Sequence, residues 1–302
     1  MELHQLRYAL AVAKTGNFSR AASHCHVSQP SLSQQIQKLE EELGARLFTR
    51  MKREAVPTAA GKALLQRAAR IIDDVEASRR DVADASGEVR GVVTLGVLPT
   101  IAPYLLPRIL AECRRRCPRV EAVIHETTTT ELLSMAAACE LDFAVLSSTL
   151  MDARFQKEEL FHEELLLAVP PDHPLATRHT VRLEDVEAER FILLQEGHCL
   201  GDQALRFCNQ HQCHPQVVFR TAQLETIQAL VATGMGVSLI PQMAVPARRE
   251  RNPVYITLAK PRPVRAVAAL WRREYQFTRA AAAVMDILRG EAKVRKKPSA
   301  GV

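Results

Sequence analysis

The chain predicts an α+β / α/β multidomain protein. Its expected order is a small helical N-terminal block with a helix-turn-helix and a basic wing, a long connecting helix, and two α/β lobes. Three observations carry this. Apolar residues up to about position 58 recur at helical spacing, interrupted by capping and turn residues. From Thr58 to about Ala85 the same period continues for longer than one small domain needs. From Gly91 onward short apolar runs alternate with amphipathic stretches, the pattern of α/β lobes with parallel strands.

Taken in order, Leu3, Leu6, Leu10, Val12 and Ala13 form the first helical stripe. Asn17-Phe18-Ser19 breaks it, with Ser19 the expected cap of a helix through Ala21 and Ala22. His26-Val27-Ser28 makes a turn. Ser28 caps the next helix, and Pro30 falls in its first turn, where a missing N–H costs nothing. Leu32, Ile36, Leu39 and Leu43 are its expected buried stripe, and Gly44 its C-cap. Leu47-Phe48 and the Arg- and Lys-rich run from Arg50 to Val56 predict a wing hairpin. In the long helix, Ala63, Leu64, Ala68, Ile71, Ile72 and Val75 make an apolar stripe that needs a partner, so it reads as a linker or dimerisation helix.

Beyond it, 92–97, 120–126, 143–146, 165–169, 191–194, 217–220, 236–240 and 266–271 predict strands. The intervening helices are 104–116, 130–138, 200–209 and 224–232, with a last one through Leu288. Sheets of this kind bind ligands at the carboxyl ends of their strands, often between lobes. The predicted boundaries are 1–58, 59–90, 91–290 and a basic, disordered tail at 291–302.

At 302 residues the chain has room for two or three compact units. Its net charge of +6 permits nucleic-acid binding without demanding it. No apolar run approaches the roughly 18 residues that span a bilayer, and Met1-Glu2-Leu3-His4-Gln5 does not open like a signal peptide. No membrane association and a cytoplasmic location are therefore expected. The seven cysteines should be mostly reduced there, and any disulfide transient or sensory. Nucleotide loops, Ser-His-Asp arrangements and zinc-hydrolase motifs are absent from the sequence, so neither an enzyme nor a cofactor is expected. Gly234-Met235-Gly236 reads as a helix-to-strand turn. Glu158-Glu159 and Glu163-Glu164 read as solvated surface.

Two constellations carry chemistry. The second helix of a helix-turn-helix enters the DNA major groove by its N-terminal part. Gln29, Ser31, Ser33, Gln34 and Gln37 lie on its polar faces. Gln pairs with adenine, and Ser serves base or phosphate. Lys38, Arg50, Lys52 and Arg53 would grip phosphates of double-stranded DNA. The competing reading is a solvated face on an ordinary bundle.

The second constellation is Cys199 and Cys208. If the segment between them is helical, their α-carbons stand roughly 13 Å apart along the axis, against a limit of about 7 Å for a disulfide. Pairing would require local unwinding, which would make the bond a switch. A helix start beside Cys199 would favour its thiolate. Alternatively both are small buried hydrophobes. His211, Cys213 and His214 match no structural zinc spacing, and an incidental surface loop is the plainer reading, so no metal is expected. Cys113 and Cys117 share a helix face as a buried pair, and Cys25 and Cys139 read as core positions.

Phe18-Ser19-Arg20-Ala21-Ala22, Val27-Ser28-Gln29-Pro30-Ser31-Leu32-Ser33-Gln34-Gln35-Ile36, Leu39-Glu40-Glu41-Glu42-Leu43-Gly44, Leu47-Phe48-Thr49-Arg50 and Pro57-Thr58-Ala59-Ala60-Gly61 together resemble the N-terminal domain of LysR-type transcriptional regulators. The resemblance implies a winged helix-turn-helix that uses Ser28 and Pro30 with the residues above. It also implies a linker helix pairing two chains and a two-lobed effector domain of periplasmic-binding-protein type. A homodimer or homotetramer that contacts RNA polymerase follows by the same resemblance.

Gly197-His198-Cys199-Leu200, Asp202-Gln203-Ala204, Phe207-Cys208, Phe219-Arg220, Leu224-Glu225-Thr226 and Gly96-Val97-Leu98-Pro99-Thr100 resemble the peroxide-sensing branch of that family. On that resemblance, hydrogen peroxide is the inducer, Cys199 the reactive thiol and Cys208 the resolving thiol, with a cellular thiol reductant resetting the pair. Thr100, Thr129, His198 and Asp142 would position peroxide, and Arg265 would supply a cation. Gly201 and Val218 depart from the branch, which carries arginine and histidine at those places in some members, and Gly201 removes a cation from beside Cys199. The alternatives are a LysR-type regulator with a small organic effector between its lobes and structural cysteines, or a solute-binding α/β module without a DNA role.

Overall fold

The computed structural model describes residues 1–50, 54–84, 89–147, 152–195, 199–246 and 252–296, which fall into two compact units, 1–88 and 89–302. The first unit opens with helices α1 (Leu3–Thr15), α2 (Phe18–His24) and α3 (Gln29–Leu43). Leu6, Ala9 and Val12 of α1, Ala21 and Ala22 of α2, and Leu32, Ile36 and Leu39 of α3 are buried together. Leu43 lies off that stripe and is 42% exposed. The helix ends there because Gly44 turns left-handed at φ 64°, and the apolar face has no further core to cover. The cap of α2 is Asn17, not Ser19: its side chain accepts from the N–H groups of Ser19 and Arg20. An Asn side chain is shaped for that role, and Ser19 is already inside the first turn.

Strands β1 (Phe48–Arg50) and β2 (Ala55–Pro57) pair antiparallel as the wing. Glu40 fastens it to α3 by accepting from the N–H groups of Leu47 and Phe48 at 2.7 and 3.2 Å. Helix α4 (Ala59–Asp84) follows, 26 residues or about 39 Å long. Gly61 in its first turn is obligatory in practice, since a Cβ there would meet the Leu47 carbonyl oxygen at 2.1 Å.

The second unit runs β3 (Arg90–Val97), α5 (Ala102–Arg116), β4 (Arg119–Glu126), α6 (Thr129–Ala137), β5 (Phe143–Ser147), β6 (Phe155–Val169), β7 (Thr180–Val181), β8 (Arg190–Leu194), α7 (Cys199–Gln210), β9 (Gln216–Thr221), α8 (Leu224–Ala232), β10 (Ser238–Pro241), β11 (Val254–Leu258), β12 (Val264–Arg272) and α9 (Arg279–Lys296). β3 pairs parallel with β4 and β5, but β12 pairs antiparallel with β5 and β6, and β6 antiparallel with β10 and β11. The sheet is therefore mixed, where the sequence led us to expect parallel lobes. The difference comes from β6, 15 residues long, of which only the last five were legible as a strand.

β6 runs through both hydrophobic cores. Phe155, Leu160 and Phe161 lie in the first, with α5, α6 and α9 around it. Leu165, Leu167, Ala168 and Val169 lie in the second, with α7 and α8. The expected tail is also corrected. Residues 291–296 continue α9, because Ala292 is buried and the Arg295 guanidinium donates to the Tyr104 carbonyl at 2.7 Å. The remainder, 297–302, lies outside the described residues.

Candidate functional site

The candidate site lies where the two cores of the second unit meet. The antiparallel register of β12 on β6 sets Arg265 opposite Glu163. The Arg265 side chain is fully buried and its Nε donates to Glu163 at 2.6 Å. Its two remaining nitrogens donate to the Thr100 hydroxyl and carbonyl, both at 3.1 Å. The second Glu163 oxygen accepts from the Met243 N–H at 2.9 Å. Every strong polar group of this pair thus has a partner, as a buried charge pair requires. Glu163 is not the surface residue expected from its sequence neighbours. It sits in phase with the buried Phe161, Leu165 and Leu167 on one face of β6. That two-residue period was the available signal.

Cys199 is the first residue of α7. Successive faces of this helix serve different neighbours. Leu200, Ala204 and Cys208 recur at four-residue steps in the second core. Cys199 packs against the first. One turn on from Cys199, Gln203 exchanges hydrogen bonds with the buried Ser147 at the end of β5, at 2.9 and 3.2 Å. Nine residues at 100° each turn the helix by two and a half revolutions. Cys208 therefore faces the opposite way from Cys199, about 13 Å along the axis. All described cysteines are free thiols.

Burial pushes the Cys199 thiol above its ordinary range, and the Thr129 hydroxyl and the Arg265 charge pull the other way without overcoming it. The expectation of a thiolate favoured by the helix start is thereby corrected: desolvation outweighs it. The Thr129 hydroxyl is itself buried and has no hydrogen-bond partner of normal geometry. Cys208 is pushed up to about 12 by burial and by its neighbour Cys213.

Asp142 does not join this group. It precedes β5, accepting from the Thr94 N–H at 2.6 Å and from the Tyr275 hydroxyl. Ser147, which does reach α7, stands at the other end of that strand. His198 lies outside the described residues. Gly201 packs its backbone on β8, and a Cβ there would meet the Leu194 carbonyl oxygen at 2.8 Å. Val218 is 40% exposed on β9.

Cys213 is buried, not part of an incidental surface loop. Cys25 and Cys139 are only partly buried, the latter accepting from Arg272. The buried pair Cys113 and Cys117 is as expected. Among the described residues no group of three or more His, Cys, Asp and Glu could hold a metal ion.

In the first unit, the Ser28 hydroxyl caps α3 by accepting from the Ser31 N–H at 3.3 Å. Gln29, Pro30, Ser31, Gln34, Gln37 and Lys38 are exposed and Ser33 half-buried. Lys52 and Arg53 lie outside the described residues, as does the Arg50 side chain. Among the described residues no helix is long and apolar enough to cross a membrane.

Both units match family profiles: the bacterial regulatory helix-turn-helix protein of the lysR family over residues 3–62, and the LysR substrate binding domain over 86–293. The chain belongs to the LysR family of DNA-binding transcriptional regulators. Within that family it is 38% identical, over 273 residues and 90% of each chain, to the hydrogen peroxide-inducible genes activator of Pectobacterium carotovorum subsp. carotovorum. It is similar in structure to a cysteine-to-aspartate variant of full-length OxyR from Pseudomonas aeruginosa. The TM-score is 0.78 and the identity 29%, covering 97% of this chain and 95% of that one. A peroxide-bound cysteine variant of OxyR from Corynebacterium glutamicum superposes with a TM-score of 0.66 at 28% identity, covering 98% and 93%.

Proposed function

We propose that this chain is a peroxide-responsive transcriptional activator whose switch is a reversible Cys199–Cys208 disulfide. The observation that carries the reading is the placement of the two thiols on opposite faces of α7, each held in a different core. A bond between them is incompatible with the helix, so making it must refold the segment. Peroxide would enter between Cys199 and the buried Thr129 hydroxyl, which acts on that thiol and has no hydrogen bond of normal geometry, so a peroxide oxygen could supply one. Thr100 and Arg265 would orient it, together with His198.

The Cys199 sulfur attacks one peroxide oxygen and the O–O bond breaks. The other oxygen leaves as hydroxide and takes the thiol's proton to become water. The Cys208 thiol then displaces hydroxide from the Cys199 sulfenic acid, releasing a second water and closing the disulfide. A cellular dithiol would return both electrons.

The refolded effector unit would change the relation between subunits of a homodimer or homotetramer joined through α4. That would reposition the paired α3 helices on DNA relative to RNA polymerase. Gln29, Ser31, Ser33 and Gln34 would read bases, with Ser28 and Pro30 at the helix entrance. Lys38, Arg50, Lys52 and Arg53 would hold phosphates. Cytoplasmic location follows from the same reading.

Operator footprinting before and after peroxide tests it. The wild-type footprint should shift and revert with dithiol, while Cys199→Ser should keep the reduced footprint. A Cys199→Ser protein that still shifts would transfer the inducer role to a small organic effector between the lobes.

A further inference from the structure

Helix α7 does not simply stop at Gln210. The Cys213 N–H reaches back to the Cys208 carbonyl at 3.0 Å, and the Gln212 N–H to the Asn209 carbonyl at 3.2 Å. Gln212 between them is left-handed at φ 58°. These two bonds and that conformation define a Schellman C-cap, which brings together the side chains of the residues at its two ends. Here both are cysteines. Cys208 and Cys213 are 1% and 3% exposed in one core, and each thiol is near enough to act on the other's proton. The 3.0 Å backbone bond and standard covalent lengths hold their α-carbons within about 7 Å, inside the range that a disulfide spans.

We infer that Cys213 is a third redox residue, which takes Cys208 away from Cys199 and so ends the signal without an outside reductant. This rests on the peroxide reading above. Once Cys199–Cys208 has formed, the Cys213 thiolate attacks the Cys208 sulfur. The Cys208–Cys213 bond forms, the Cys199–Cys208 bond breaks, and Cys199 leaves as thiolate. Electrons balance with no added oxidant: one disulfide replaces another.

The direction follows from conformation. Cys199–Cys208 needs α7 unwound, whereas Cys208–Cys213 bridges two residues that the intact helix already places in contact. Exchange therefore lets α7 reform with its disulfide at the C-cap. The same burial explains why Cys208–Cys213 does not form first. Both thiols are shielded from peroxide and held protonated in the reduced fold, and the unwinding forced by Cys199–Cys208 frees Cys213.

Peptide mapping of the full-length protein after a brief peroxide pulse separates the outcomes. Trypsin places Cys199 in the 191–206 peptide and both Cys208 and Cys213 in the 207–220 peptide. The first bond therefore joins two peptides, and the second is a loss of two hydrogens within one. With blocked samples taken over time, the joined species should rise first and then give way to the internal one, while the operator footprint returns to its reduced pattern.

In Cys213→Ala, which keeps an apolar contact at the cap, the Cys199–Cys208 bond should last at least about tenfold longer. A Cys199–Cys208 bond equally persistent in both proteins would overturn the inference and leave the peroxide reading intact. An internal bond that forms as fast in Cys199→Ser as in the wild type would overturn exchange as its route. Absence of any Cys199–Cys208 species would overturn the peroxide reading itself.

Discussion

At Cys199 several influences compete over one proton, the three largest being burial, the Thr129 hydroxyl and the Arg265 charge, with Asp202 adding weakly to burial. Burial favours the thiol, while the Thr129 hydroxyl and the Arg265 guanidinium favour the thiolate, and burial prevails. The thiolate is the nucleophile, and below a raised pKa its fraction grows tenfold with each pH unit. Between about pH 6 and pH 8 the rate of Cys199 oxidation by peroxide should therefore climb about tenfold per unit. Stopped-flow thiol trapping would measure this, and a flat profile would mean that the thiolate is already formed at neutral pH. Arg265 is a weak helper because Glu163 lies against it at 2.6 Å. Glu163→Gln removes the counter-charge. It should cost about 3 kcal/mol of stability in urea denaturation, since it leaves a buried guanidinium without its anion. The same change should speed oxidation, because the uncompensated charge then acts on Cys199. Slower oxidation would show that the pair orients the site rather than biases it.

Helix α7 is a single element held by two cores, and its first turn has little freedom. Gly201 sits so close to the Leu194 carbonyl that any side chain must push the helix off β8. Gly201→Ala should lower stability by about 1–3 kcal/mol, read from the shift in the urea midpoint. An unchanged midpoint would mean that the turn moves freely. By the same contact, Gly201→Arg alone should not restore a cation beside Cys199. The backbone of this chain is already in the space its stem would need. The helix was legible in the sequence, from Leu200, Ala204 and Cys208 at four-residue spacing. Its C-cap was not, because Gln212 carries no glycine signal for its left-handed conformation.

Across the effector unit, β6 is the shared beam, with Glu163 between the stretches that serve the two cores. Oxidation should loosen α7 and leave β6 and β12 in place. In hydrogen exchange, amides of Cys199–Gln210 should lose protection on forming the Cys199–Cys208 bond, while those of β6 and β12 keep theirs. Protection retained through α7 would sink the refolding switch.

The helix-turn-helix, its Ser28 and Gly44 caps, the long linker helix, the helical segment bearing two thiols and most strands of the lobes are legible in the chain alone. These are properties of periodicity and capping, which report hydrogen bonding among near neighbours in the chain. Long-range contacts settle the rest. Glu163 became buried because β12, about a hundred positions away, places Arg265 across from it. The N-terminal half of β6, rich in Lys and Glu, became a strand by pairing with β12 rather than by its own pattern. Asp142 was carried to the far end of β5 from the thiol, and Cys213 was turned inward onto Cys208. In each case the deciding contact joins residues whose meeting depends on strand register or a cap geometry. Local patterns of apolar and polar residues do not encode either one.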